Sequence, residues 1–221
     1  MRALAWLFRR ELALAWSGGG GPLLALGFYA AVTTLTPFAI GPSQQRLAAI
    51  AVGLAWIALA LASLLSLDRL FERDFEDGAL DLLMLGPAPI EAVAAVKCLA
   101  HWTTAGAPLA LAAPVAAVAL GAPSRLAPLI LATAAIGGLA FSFVGGLGAA
   151  LALGSRRGGL LIAVIVLPLL TPPVIFGGGA LDAFAAGLPW TGAFLMLAAY
   201  ALAAMALSPF FAAAACRNAV S

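Results

Sequence analysis

Charge is what this chain has least of: 9% of its 221 residues are Asp, Glu, Lys or Arg, where a soluble domain carries about a quarter. Lys97 is its one lysine, His101 its one histidine, and Cys98 and Cys216 its two cysteines. These scarcities exclude whole classes of function. A P-loop needs Gly-x-x-x-x-Gly-Lys-Ser/Thr, and Lys97 follows Ala95-Val96 and precedes Cys98, so an ATPase subunit would have to be separate. Without a Cys-x-x-Cys pair or a histidine cluster, no metal site is expected. Both cysteines fall toward the side read below as cytosolic, where a structural disulfide is not expected. No catalytic constellation is present, and no nucleic-acid partner is expected.

What fills the chain instead is apolar: 64% of it is hydrophobic, with a mean hydropathy of +1.11. Charge-free runs cover residues 12–45, 47–67, 98–124, 126–155, 158–181 and 183–216. Each holds the roughly 20 apolar residues that one helix needs to cross about 30 Å of hydrocarbon. Nothing alternates with the period of a barrel strand, so the spans are helices. Turn residues separate them at Gly41-Pro42-Ser43, Gly86–Pro89, Gly121–Ser124, Gly154–Gly159 and Gly187–Pro189. The expected class is all-α: a polytopic membrane protein of one domain over 1–221, with helices near 23–40, 47–67, 94–119, 127–152, 159–177 and 191–214. Pro108 and Pro114 in the third, and Pro168, Pro172 and Pro173 in the fifth, predict kinked or discontinuous helices. Gly137, Gly138, Gly145, Gly146 and Gly148 in the fourth predict close helix contact.

Six spans put both termini on one side, together with Arg2, Arg9, Arg10, Arg69, Arg73, Lys97, Arg156, Arg157 and Arg217. Only Arg46 and Arg125 fall opposite. The positive-inside rule makes the richer side cytosolic, in a bacterial inner membrane. Residues 1–17 mix Arg2, Arg9, Arg10 and Glu11 with Trp6, Phe8 and Trp16. The charges at 9–11 interrupt the place of a signal-peptide core. A helix lying in the cytosolic interface fits better than an extension of the first span, with the Gly18–Gly21 run as the bend.

Few polar groups enter the spans. Lys97 and His101 are placed in the first turns of the third, and Asp182 in the last external loop. His101 invites a haem-ligand reading. A helix-end histidine that packs or hydrogen-bonds beside Trp102 is preferred, since it has no second ligand nearby. Lys97, on the same face, either snorkels to the cytosol or pairs with an acid in the preceding loop.

That loop, 68–91, is the one segment too polar for lipid. Leu67, Leu70, Phe71 and Phe75 recur at helical spacing, and Arg73 can meet Asp77 at i,i+4, with Gly78 as a stop. A short amphipathic cytosolic helix is expected, then a turn through Gly86–Pro89 and a helix re-entering from Ile90. A solvated loop does not require two phenylalanines. Asp77-Gly78-Ala79 resembles the start of a phosphotransferase signature, Asp-Gly-x-x-Ala-Arg, but Leu82 and Leu83 follow and no Arg does. Aromatic anchors ringed by charge favour a docking element for a cytosolic partner.

The chain resembles the haem exporter protein B family along essentially its whole length. The resemblance rests on Phe38-Ala39-Ile40-Gly41-Pro42, Ser66-Leu67-Asp68-Arg69-Leu70-Phe71, Asp74-Phe75-Glu76-Asp77-Gly78-Ala79-Leu80 and Lys97-Cys98-Leu99-Ala100-His101-Trp102. It continues with Arg157-Gly158-Gly159-Leu160-Leu161, Val166-Leu167-Pro168-Leu169 and Leu207-Ser208-Pro209-Phe210. It implies a type-2 ABC exporter-like permease in cytochrome c maturation, non-catalytic, with ATP bound by a separate cytosolic ABC ATPase. Asp68, Arg69, Phe71, Asp74, Phe75, Glu76, Asp77, Gly78 and Leu80 would couple to that ATPase. Further partners implied are a haem-handling membrane protein with a tryptophan-rich motif, a small membrane subunit and a periplasmic haem chaperone whose haem-loaded form is released. Haem would be held by those partners, not by this chain, whose five tryptophans are scattered. Haem export by the permease itself, a stand-alone secondary transporter and a lipid-modifying membrane enzyme are the alternatives.

Reporters fused before Met1 or after Ser221 should read as cytosolic, and reporters near Gln44, Ser124 or Asp182 as external. External labelling of a cysteine placed at Glu76 would contradict the distribution of basic residues.

Overall fold

In hydrocarbon every backbone N–H and C=O must find a partner within the chain, and the structure meets that demand with helices. It is a computed structural model describing residues 2–17, 21–41, 43–67, 69–154 and 158–220, with side chains from 164 onward in the last stretch. The bend expected at residues 18–20, Pro42, Asp68 and the Arg156–Arg157 turn lie outside the described residues. Among those described, α1 spans Arg2–Ser17, α2 Gly21–Ile40, α3 Gln44–Leu65, α4 Arg69–Glu76, α5 Ala79–Leu85 and α6 Ile90–His101. A π-turn, Trp102–Gly106, joins α6 to α7, Ala107–Ala119; then come α8, Ala127–Leu151, α9, Gly158–Ala185, and α10, Thr191–Val220. Six helices are long and apolar enough to cross a membrane: α2, α3, α6 with α7, α8, α9 and α10. The α1 helix is separate from these, and Trp6 and Trp16 are exposed on it, as suits headgroup depth.

The fourth span, α8, is the centre against which α3, α4, α6, α7, α9 and α10 pack. Lipid tails are as apolar as leucine, so helices associate by close fit rather than by escape from water. The glycines of α8 supply that fit. A methyl group at Gly137 would lie 2.6 Å from the Trp56 ring, and one at Gly145 or Gly146 would collide with Leu67 or the Cys98 sulfur. Trp56 is buried between Gly137 and Gly177 and meets Phe141 edge-on, with centroids 6.1 Å apart.

The fifth span differs from expectation. Helix α9 runs unbroken through Pro168, Pro172 and Pro173 and ends at Ala185, so Asp182 lies in its last turn and not in a loop. Gly177, Gly178 and Gly179 are helical because packing of Leu170, Ala180 and Leu181 sustains the helix, and Gly177 is where the Trp56 ring requires the missing side chain. Pro173 deprives the Leu169 carbonyl of its helical donor. The Tyr200 hydroxyl of α10 donates to that carbonyl at 2.6 Å. In the third span the ladder does change: the Ala107 N–H donates to the Trp102 carbonyl, five residues back, just before Pro108.

Gly137→Leu should lower the thermal midpoint of the detergent-purified protein, with a cost of about 1–3 kcal/mol for overpacking against Trp56. Gly178→Leu, where a side chain meets nothing within 4 Å, should leave it unchanged. Equal midpoints would remove the glycine–tryptophan contact from the account of packing.

Candidate functional site

Helix α4 has room for only two turns, and its inward positions decide what it holds. Phe71 is fully buried and Asp74 is 1% exposed, while Arg69, Glu72, Arg73 and Glu76 face outward. The re-entering helix begins at Ile90 as expected, so Lys97 stands about 10 Å along it and His101 about 16 Å. These elements and α1 bring four charges together. Lys97 Nζ donates to Asp74 Oδ2 at 2.6 Å and to Glu11 Oε2 at 3.1 Å. Its third donor meets the Leu70 carbonyl at 3.0 Å, which exhausts an ammonium's capacity. Arg10 donates to Asp74 Oδ1 at 2.7 Å and to Glu11 Oε1 at 2.9 Å. The hydrogen bond it donates to Asp74 is the chief reason that the Arg10 guanidinium holds its proton above its ordinary range. Two cations and two anions cancel, so a lysine only 2% exposed is tolerable in so apolar a place.

One turn further, His101 is buried with both ring nitrogens occupied. Nε2 lies 2.7 Å from Ser66 Oγ, and Nδ1 lies 2.9 Å from Ser142 Oγ. The Ser66 hydroxyl donates to the Ser63 carbonyl, so it receives a proton from Nε2 and Nδ1 accepts from Ser142. This polar bracket ties the end of α3, α6 and α8 together. Trp102 is half-buried; its indole N–H donates to the Ala135 carbonyl of α8 at 3.1 Å, and its ring lies against Gly106 and Gly138.

The remaining residues of the segment divide into two surfaces. Phe71 and Leu80 are buried in the core, and Phe75 is half-buried beside Gly154. Phe71 is therefore not an anchor for a partner: the space under α4 against α8 and α6 takes it up, 5.6 Å beneath the Lys97 ammonium. Asp74 likewise turns inward, because the Arg10 and Lys97 charges await it there. The Arg73–Asp77 pair does not form, since α4 ends at Glu76 and Asp77 leaves the helical path. Gly78 takes φ +69°, which favours glycine. The chain then enters α5, a second short helix that periodicity did not reveal. Asp77 and Asp81 are exposed there, as are Leu82 at 72% and Leu85 at 85%. Arg10 and Glu11 were also absent from the expected site; the signal for them was Glu11, the one acid before residue 68.

Lys97→Met should destabilise the protein by about 3–5 kcal/mol, because it leaves a carboxylate buried without its cation. Pairing it with Asp74→Leu should recover a large part of that loss. A thermal-unfolding double-mutant cycle in detergent checks this, and additive losses would dismiss the buried pair.

A family model described as "CcmB protein" matches residues 2–219. A "Heme exporter protein B" of Paracoccus denitrificans is 49% identical over 211 residues, covering 96% of this chain and 97% of that protein. The protein of the same name from Rhodobacter capsulatus is 48% identical over 98% of each chain. That from Escherichia coli K12 is 41% identical over 96% of each. With six helices fit to span a membrane and a match running almost from end to end, the chain belongs to the CcmB family.

Proposed function

We propose that the chain is the permease subunit of an ABC-type complex of cytochrome c maturation. In this reading a separate cytosolic ATPase engages the α4–α5 segment, and its work passes through the membrane to haem-handling partners and the release of a haem-loaded periplasmic chaperone. Both termini are cytosolic in an inner membrane. The relatives' names speak of haem export, and transport of haem by the assembled complex follows from that kinship.

The observation that carries the reading is the anchoring of Asp74. A displacement applied to α4 from outside reaches the third span through the Asp74–Lys97 pair and α1 through the Asp74–Arg10 pair. The outward residues suit a docking site on the cytosolic side. Leu82 and Leu85 are large, apolar and open to solvent, and Asp77 and Asp81 lie beside them. Such an arrangement of apolar anchor and charged rim favours a partner with a hydrophobic groove edged by basic residues. Energy must come from outside the chain, since its single lysine has no glycine-rich loop around it.

Leu82→Asp should reduce recovery of the cognate ATPase with the membrane-inserted protein, as expected for loss of an anchor worth about 2 kcal/mol. Asp77→Lys should reduce it in a salt-dependent way. Neither change should affect insertion. Full ATPase recovery and normal cytochrome c maturation in both variants would leave α5 without a coupling role.

A further inference from the structure

Between α1, α2 and the outward face of α4 lies a cleft of about 800 Å³. Leu14 of α1, Pro22 and Leu24 of α2 and Leu65 of α3 form its apolar wall. The face of α4 that fronts it carries Arg69, Glu72, Arg73 and Glu76, at i, i+3, i+4 and i+7, all exposed. The other two acids of the lining, Glu11 and Asp74, are already neutralised by Lys97 and Arg10. Among the described residues the four α4 charges make no hydrogen bond or ion pair.

Their order puts like charges at i,i+4, Arg69 with Arg73 and Glu72 with Glu76, alongside opposite charges at i,i+3. It sets two guanidiniums side by side and two carboxylates side by side on the neighbouring strip. A phosphate suits the first pair, because guanidinium geometry matches its oxygens. A primary ammonium suits the second. Depth completes the description: exposed Trp6 and Trp16 hold α1 at the headgroup layer, and Leu24 and Leu65 continue the wall toward hydrocarbon.

We propose that this cleft binds a zwitterionic aminophospholipid of the ethanolamine type. Its phosphate lies on Arg69 and Arg73, its ammonium on Glu72 and Glu76, and an acyl chain runs along Leu24 and Leu65. A choline headgroup fits less well, since quaternary ammonium groups are held by aromatic cages and no aromatic side chain lines the described cleft. A glycerol headgroup leaves the two carboxylates unanswered. Asp77, Leu82 and Leu85 do not line the cleft, so lipid binding and ATPase docking draw on different side chains.

The test is native mass spectrometry of the full-length chain, delipidated and then offered phosphatidylethanolamine, phosphatidylglycerol and phosphatidylcholine in equal amounts. Phosphatidylethanolamine should be enriched about fivefold or more over phosphatidylcholine, the ratio that ~1 kcal/mol of charge pairing gives. Arg69→Gln/Arg73→Gln should lose bound lipid of every kind. Glu72→Gln/Glu76→Gln should keep lipid but lose the preference for the ethanolamine headgroup. Ala15→Trp, which fills the cleft without altering charge, should lower occupancy alone. Binding blind to headgroup in the wild type, unchanged selectivity in the charge variants, or capture of added haem in place of lipid would each overturn the proposal. No ATPase is present in the assay, so its outcome is independent of the coupling role.

Discussion

Asp74 is the residue on which the half of the molecule that carries α1, α4 and α5 depends. A carboxylate 1% exposed among so few charges must be fully paired, and its two oxygens are divided between Arg10 and Lys97. Pairing of this kind contributes little net stability, because desolvation offsets the attraction. What it provides is position. An α4 of eight residues is too short to hold itself helical in water, and the charge cluster together with Phe71 fixes its place against α6 and α8. Without the cluster, α1 would also lose the ionic contacts that Arg10 and Glu11 make with α4 and α6.

The membrane-embedded half follows a different logic. No hydrophobic force separates helix from lipid, so specificity comes from shape. Trp56 set between Gly137 and Gly177, and Leu67 and Cys98 set against Gly145 and Gly146, are contacts that no larger residue allows. Polar side chains complete the account. Ser63, Thr33, Thr36 and Thr133 donate back to carbonyls of their own helices, while His101 and Tyr200 reach across to others. Each of these groups therefore finds its partner without water, whereas the buried Tyr29 hydroxyl has none among the described residues.

The six spans were legible in the sequence because lipid permits no alternative to an apolar helix of that length. The pairing of Lys97 with an acid of the preceding segment was one of the two readings the sequence left open, the other being snorkelling to the cytosol. Which acid it meets was not legible. Asp74 and Asp77 look alike in sequence, and only the closing of α4 at Glu76 turns one inward and the other out. Phe71 and Phe75 share an apolar stripe, yet a stripe does not say whether its cover is a partner or the chain itself; α8 provides the cover. Arg10 and Glu11 lie more than sixty residues from Asp74, beyond the reach of any local pattern. Helix α5 was hidden because its seven residues complete too few turns for a period to emerge. The prolines of α9 read as breakers, but Tyr200, distant in sequence, supplies a hydrogen bond to the carbonyl that Pro173 leaves without a donor.

The π-turn at Trp102–Gly106 has a consequence for how the third span can vary. A π-turn accommodates one residue more than the α-helix it interrupts, and one residue corresponds to about 100° of helical rotation. The α6 end, with Lys97 and His101, and the α7 end, with Leu109 and Ala113, are thus phased independently across that turn. Removing a single residue from 102–106 would restore an uninterrupted ladder and swing one end relative to the other by that angle. Lys97 would then leave Asp74, or Leu109 would leave the core. The third span is in effect two rods with a fixed angular offset, and its length is under tighter constraint than its composition.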